Sequence, residues 1–519
     1  MLAIIGGQYI YISITHNEFN CMDNSPSSTS HRILFFNTLA FLVCFAGWML
    51  NGVLVTYLVD AGIFNWSLMQ VGWLLGVPVL TGSLMRLPMG ILTDRIGGKW
   101  VFTALLLGCS VPMFLLSKAN SYSTFLMLSF FFGLLGTSFS IGVGFTSVWY
   151  PKSWQGRALG LFGLGTIGSA LTTLLAPTLL KILTSNGANP DGWRQLPVIY
   201  AIVIAVIGVL FLLFTKNKKT ATSDKTLLTL LRPLKNVRVW RFGLYYFLVF
   251  GCFVTFSQWL LPYFVNVYNV TLITAGFLAS AFSLPVGIFR AVGGWLSDKY
   301  GARRIMYWVL GSSVVLTFML IIPRMEIYSP GTGIMATQAG TVTLVSDSLI
   351  QVGEKEYAVL AKSHKFDHVD RKAMILPAKD VWQEPVVKPG DKVTKKQLLA
   401  QGTTMIFFKA NIWVFVVIIM LIGACWGIGT GAVFKHIPEY FPKEIGAVGG
   451  MVGMIGGLGG FAGPILFGYL LNVTGLWTSS WMFVCLLSSA CLLWMHQVIT
   501  NMMKKEAPQL ADKFENAAP

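Results

Sequence analysis

Arg86 and Arg290 each sit inside a long apolar run. A guanidinium is planar, presents five N–H donors and stays charged. Holding one at mid-depth in a bilayer costs at least ~2.5–3.5 kcal/mol on insertion scales, and such residues mark ion and substrate paths. Each arginine is followed by a matched set. Gly90, Asp94, Arg95, Gly97 and Lys99 follow the first, and Gly294, Asp298, Lys299, Gly301 and Arg303 follow the second. Arg86/Arg290, Gly90/Gly294, Asp94/Asp298 and Gly97/Gly301 are all 204 positions apart. One offset shared by four identical residues marks an internal repeat. No Asp or Glu falls at mid-depth in any apolar run, so nothing acidic balances the two arginines. The sign of that imbalance predicts a small anion as ligand.

The elements that must position these residues are membrane helices. Of 519 residues, 55% are hydrophobic and 11% charged, with mean hydropathy +0.67. Soluble domains carry about 25% charged residues. Apolar runs of some 20 residues, long enough to cross a bilayer, fall at 33–59, 69–93, 100–117, 123–148, 157–180 and 195–215. A second set falls at 242–266, 271–296, 304–323, 409–434, 447–471 and 478–500. The fold class is therefore an all-α membrane protein, six helices plus six. The predicted order is a tail (1–31), a six-helix bundle (32–215), a basic linker (216–240) and a second bundle in two parts (241–324 and 406–502). An insertion (325–405) divides that bundle, and a tail (503–519) ends the chain.

Lys and Arg in short loops set orientation. One side holds Arg95, Lys99, Lys152, Arg157, the linker with Lys219 and Lys225, Lys299, Arg303, Lys435, Lys443, Lys504 and Lys505. The other side holds little beyond Lys118, Lys181 and Arg194. Both termini and the linker are expected in the cytoplasm. The net charge of +17 follows from these loops rather than from nucleic-acid binding. Six of the seven Cys lie in apolar runs, Cys21 does not, and no metal spacing or disulfide frame is visible. No cofactor, no metal and no catalytic constellation is expected, so an enzyme is not. The first residues make a poor signal peptide, and translation could start at Met1 or Met22.

Residues 325–405 change pattern to alternating Val- and Thr-rich segments, which read as strands. Pro151-Lys152 recurs as Pro442-Lys443, an offset of 291 rather than 204, so the surplus lies between Arg304 and Pro442. The orientation puts this module on the non-cytoplasmic face. Its PGDKVTKKQLLAQG segment resembles half of a biotinyl- or lipoyl-type barrel, without an acceptor-lysine turn. A structural or interaction module, rather than a carrier of a covalent cofactor, is the expected role.

The loops after Arg86 and Arg290 read G-x-x-x-D-R/K-x-G-x-R/K and resemble the signature loop of the major facilitator superfamily. FSIGVGFTSVWYPKSWQGRALGLFGLGTIG (residues 139–168) and WGIGTGAVFKHIPEYFPKEIGAVGGMVGMIGGLGGFAGP (426–464) resemble the signatures of its NarK-type nitrate/nitrite porter family. The resemblance spans the membrane part. It implies a secondary active transporter in the cytoplasmic membrane that moves nitrate or nitrite by alternating access, as an antiporter or a proton-coupled symporter. It implies substrate contacts from Arg86, Arg290, Tyr246, Phe250, Gly163, Gly165, Thr166 and Thr430, and gating by Gly90, Asp94, Arg95, Gly294, Asp298 and Lys299. Two positions depart from the family pattern: Thr166 and Thr430 stand where asparagines are usual. Thr keeps a hydroxyl and loses the amide donors. The alternative is therefore a carrier of another small anion such as a monocarboxylate. The expected partners are the inorganic anion, protons in the symport reading, and the bilayer, with the chain a monomer.

Overall fold

The computed structural model describes residues 2–5, 8–11, 26–218, 232–321, 324–362, 378–409, 411–441 and 445–506. The expectations on Met1, Met22, Cys21, Lys219, Lys225, Pro442-Lys443 and the tail beyond 506 lie outside the described residues. Eleven helices are long and apolar enough to span a membrane. They are α1 (Ser28–Asp60), α2 (Leu68–Ile96), α3 (Gly98–Lys118), α4 (Tyr122–Trp149), α5 (Trp154–Leu183), α6 (Pro190–Phe214), α7 (Val237–Tyr268), α8 (Leu272–Tyr300), α10 (Ile412–Ile437), α11 (Val448–Thr474) and α12 (Ser479–Met502). The shorter α9 (Ala302–Met319) completes the expected twelve and opens with Arg303 and Arg304.

The repeat sets both ends of α2 and α8. Ser67 caps α2 through Gln70 N, 3.3 Å away, and Thr271, 204 positions later, caps α8 through Thr274 N at 3.3 Å. Such a side chain satisfies a helix-start N–H that has no partner within the helix. Gly97 (φ 100°, ψ 145°) and Gly301 (φ 84°, ψ 133°) end the two helices in a region closed to residues with a Cβ. We expect Gly301→Ala, which meets no neighbour within 4 Å, to cost about 1–3 kcal/mol from backbone strain alone. Gly97→Ala, which also strikes the Asn217 side chain, should cost more. Thermal unfolding of the detergent-solubilised variants measures both.

The described residues form two compact units. The first lies within Met1–Leu310 and Gly423–Asn472, the second within Gly311–Ile422 and Val473–Pro519. In the first unit, glycines bring helix pairs to backbone contact. A Cβ on Gly72 would stand 2.6 Å from the Pro464 carbonyl oxygen, and one on Gly76 would stand 2.7 Å from that of Phe461, so α2 lies tight on α11. A Cβ on Gly276 would strike the Thr173 carbonyl, so α8 lies equally tight on α5. Gly72 and Gly276 differ by 204 positions, and Thr173 and Pro464 by 291. Both sequence offsets thus reappear as one contact made twice. Toward the other ends of α2 and α8 the packing relaxes. A Cβ on Gly90 would meet only Ser140, at 4.0 Å, and one on Gly294 would meet nothing within 4 Å.

Several of these helices are broken. α1 breaks at Met49 and α2 at Met85; α4 tightens to 3-10 geometry over Gly133–Thr137 and α5 over Leu164–Ile167, while α7 widens to a π-turn at Phe247–Gly251. Each break leaves carbonyls outside the regular helix ladder.

The second unit contains the strand module. A three-stranded sheet orders β3 (Arg324–Met335), β9 (Leu398–Lys409) and β7 (Ala378–Pro385), with β9 in the middle. A four-stranded sheet orders β6 (Lys355–Ala358), β5 (Leu349–Val352), β4 (Gly340–Val345) and β8 (Lys392–Val393). All pairs are antiparallel. The long β3–β9 ribbon runs from Arg324↔Lys409 to Met335↔Leu398. Val342, Ile350, Val352, Val393 and Leu399 form a separate core for the module. A short hairpin, β1 (Leu2–Ile5) with β2 (Gln8–Tyr11), lies in the expected tail; the Gly-Gly pair at 6–7 between two apolar runs is its sequence signal.

Candidate functional site

Arg86 follows the break in α2 and is 1% exposed. Its Nε donates to the Gly136 carbonyl at 3.3 Å, a carbonyl within the 3-10 turn of α4. Its Nη1 donates to the Gly453 carbonyl of α11 at 2.7 Å. The guanidinium carbon lies 5.0 Å from the centre of the Phe250 ring, 5.8 Å from Phe139 and 5.9 Å from Trp48. Arg290 is half-buried on α8, and its guanidinium carbon lies 4.7 Å from the same Phe139 ring. One aromatic ring therefore stands beside both cations. Cation–π attraction offsets part of their repulsion.

Each arginine packs against the glycine-rich helix of the opposite repeat. A Cβ on Gly163 in α5 would come 3.3 Å from Arg290 Cδ and 3.4 Å from its Nε. A Cβ on Gly457 in α11 would come 3.3 Å from Arg86 Nη1. Glycine at these places leaves the space into which the guanidinium groups reach.

Tyr246, just before the π-turn of α7, and Phe250, within it, stack with ring centres 4.9 Å apart and planes at 1°. Phe434 stands edge-on to Tyr246 at 5.0 Å and 6.0 Å from Phe139, closing an aromatic box. Tyr246 Oη and Ser83 Oγ are both fully buried and make no hydrogen bond with a described residue. Ser83 lies one turn before Arg86, and both sit beside Gly457. A buried hydroxyl without a partner costs about 1–3 kcal/mol, so two of them beside a buried cation mark room for an acceptor.

The structure thus assembles Arg86, Arg290, Gly163, Tyr246 and Phe250 around Phe139. It places the other three predicted contacts differently. Thr166 and Thr430 donate their hydroxyl protons to the carbonyls of Gly163 (2.9 Å) and Gly427 (2.7 Å) in their own helices. Gly165 faces the Phe41 ring, where it allows α1 to approach α5. Ser83, Phe139, Gly136, Gly453 and Gly457 did not stand out in the sequence. One signal was available for Phe139: it is the repeat partner of Thr430 at the 291 offset.

At the loop end, Asp298 pairs with Lys435 of α10, with Nζ and Oδ1 2.5 Å apart and both side chains largely exposed. Lys299 lies over the rings of Trp295 (5.5 Å) and Tyr300 (5.2 Å). Asp94 and Arg95 are exposed. Gly90 and Gly294 border open space on the two repeat-related helices, as described above.

Twelve helices in a six-plus-six repeat, with two arginines reaching across the repeats, define a membrane transporter of the major facilitator type. The family model for the Major Facilitator Superfamily matches residues 37–353 and 398–515. The chain is 36% identical, over 93% of its own length and 95% of the relative's, to a Thermus thermophilus protein named as a probable nitrate/nitrite antiporter, NarK1. It is 26% identical to a Staphylococcus haemolyticus protein named as a probable nitrate transporter, NarT, over 85% of this chain and 90% of that one. A Bacillus subtilis nitrite extrusion protein is 26% identical over 90% of this chain and 94% of its own. Among solved structures, a bacterial homologue of the human lysosomal transporter Spinster superposes with TM-score 0.58 at 12% identity, covering 91% of this chain and 97% of that chain. The nucleoside transporter NupG superposes with TM-score 0.55 at 12% identity, covering 91% of this chain and 99% of that chain. The chain belongs to the NarK-type nitrate/nitrite porter family of the major facilitator superfamily. It is a multi-pass membrane protein.

Proposed function

We propose that this protein exchanges nitrate for nitrite across the cytoplasmic membrane by alternating access, with both termini in the cytoplasm and a monomer as the working unit. The observation that carries the reading is the pair of guanidinium groups beside Phe139, together with the unpartnered hydroxyls of Tyr246 and Ser83. A planar monoanion with three oxygens can accept from Arg86, Arg290, Tyr246 and Ser83 at once. Paired guanidinium donors match such planar acceptors. Without the anion the two cations repel. With it they are bridged, so the anion binds most tightly to the state in which α2 and α8 draw together. A ligand shifts a conformational equilibrium only through such a difference in affinity.

Two things favour exchange over proton symport. No described carboxylate accompanies the arginines, and the Thermus thermophilus relative is named as an antiporter. The hydroxyls that motivated the monocarboxylate alternative, Thr166 and Thr430, are engaged by their own helices. Counterflow in proteoliposomes tests the proposal. Nitrite loaded inside should drive nitrate uptake, and a pH gradient with no internal anion should not. Uptake driven by the pH gradient alone would overturn obligatory exchange.

Tyr246→Phe and Ser83→Ala refine the test. Each removes a hydroxyl that makes no hydrogen bond with a described residue, so stability should hold or rise slightly. Each should raise the nitrate concentration for half-maximal exchange by about tenfold, as expected for loss of one hydrogen bond to a charged ligand. Unchanged kinetics in both variants would remove these hydroxyls from the site.

A further inference from the structure

We propose that a second oxyanion site lies at the loop end of the bundle, where Arg241, Arg238 and Arg303 converge around Tyr440. Arg241, on α7, is 8% exposed. It makes no hydrogen bond or ion pair with any described residue, and its guanidinium carbon lies 5.4 Å from the Phe242 ring. Arg238, one turn earlier, lies 5.3 Å over the Tyr440 ring. Arg303, at the start of α9, donates from Nη2 to the Tyr440 hydroxyl at 2.9 Å. His436 of α10 stacks on Phe242 at 5.3 Å and 3° and walls the cluster from the side of the buried core.

Three guanidinium groups from the starts of two helices, α7 and α9, therefore crowd one tyrosine. Asp298, the acid that precedes Arg303 at the end of α8, is paired with Lys435. A nearly buried, unpartnered guanidinium among like charges is costly unless an anion joins it. The donors are guanidinium groups, so the class of ligand is an oxyanion, either free in solution or the phosphate of a lipid headgroup. The place is informative. Phe242 and Tyr246 are one helical turn apart on α7, so the cluster lies about 6–8 Å along the helix from the ring that lines the main site. An anion held there would be next in line for Arg86 and Arg290. This role rests on the proposed anion transport, while occupancy of the cluster does not.

The binding test therefore uses protein with the main site disabled. Purified Arg86→Gln/Arg290→Gln protein should still bind nitrate or inorganic phosphate by titration calorimetry in detergent, with a single anion per chain. Adding Arg241→Gln should abolish that binding, and Arg241→Lys should retain part of it. In nanodiscs, displacement of nitrate by phosphatidylglycerol but not by phosphatidylcholine would identify the lipid phosphate as the resident oxyanion. A monodisperse protein that binds none of these probes, or binds them equally after Arg241→Gln, overturns the proposal. In the otherwise unaltered transporter, Arg241→Gln should raise KM from this side by about threefold and flatten its salt dependence, with the maximal rate little changed. A purely structural role for Arg241 would instead lower the amount of folded protein or the maximal rate. Failure of the calorimetric test with counterflow intact would reject this site and leave the main one standing.

Discussion

Arg290→Lys in proteoliposomes is expected to raise the nitrate concentration for half-maximal exchange by about 30–100-fold, corresponding to ~2–3 kcal/mol of lost charge-assisted hydrogen bonding. Lysine keeps the charge and loses the planar fork. The Arg290 side chain makes no hydrogen bond to a described residue, and its guanidinium rests on Phe139 opposite Gly163. The loss should therefore fall on anion affinity. Arg86→Lys should do more. Its guanidinium also holds the carbonyls of Gly136 and Gly453, joining α2 to α4 and α11. Lysine cannot satisfy both from one position, so the maximal rate should fall along with affinity. The two variants thus separate recognition from assembly of the site. If both transported nitrate at near-normal KM, the arginines would be structural and the clamp would be wrong. Binding measured directly by titration calorimetry, beside flux, keeps the outcome independent of reconstitution efficiency.

The second large effect is steric. Gly72→Leu should nearly abolish turnover, and Gly276→Leu should match it. In each case the new side chain starts where a Cβ already strikes a backbone carbonyl, of Pro464 on α11 or Thr173 on α5. A carbonyl cannot yield as a flexible side chain does, and overpacking a tight contact typically costs about 1–3 kcal/mol or more. That cost disfavours only the state in which these ends are closed. The equilibrium should shift by about 10–100-fold toward the alternative state. Single cysteines placed near Gly72 should label faster with a membrane-impermeant thiol reagent in the leucine variants. Gly90→Leu and Gly294→Leu are the controls, since both positions face open space here. Their leucines would obstruct closure at the loop end and should bias labelling the opposite way. Equal labelling in all four variants would show that these contacts do not gate.

Much of this was legible in the sequence because a duplicated membrane chain writes its constraints locally. Helix length follows from bilayer thickness, and the twelve segments follow from hydropathy. The cost of a buried guanidinium singles out Arg86 and Arg290 without any structure. In the structure the offset of 204 extends to Ser67 and Thr271, which begin equivalent helices, and to Gly97 and Gly301, which end them. The strand module was readable from its period and from the offset that lengthens to 291.

What the tertiary structure alone decided is which groups those arginines meet. The offsets pair residues across the repeat but do not say which helices touch. Only packing shows that Arg86 lies against α11 and Arg290 against α5, because contact across 367 residues in sequence, as from Arg86 to Gly453, leaves no local pattern. Only packing turns Thr166 and Thr430 inward onto their own carbonyls, where sequence had offered them to the anion. Breaks in α2, α4 and α7 free the Gly136 carbonyl and set the Tyr246–Phe250 stack; Pro88, Gly133, Gly136 and Gly251 stand at these breaks, yet Pro285 sits inside the unbroken α8, so residue type alone does not place them. Ser83 and Phe139 enter the site for the same reason. A hydroxyl or a ring in an apolar helix reads as lipid-facing or core until a neighbour three hundred residues away is placed beside it.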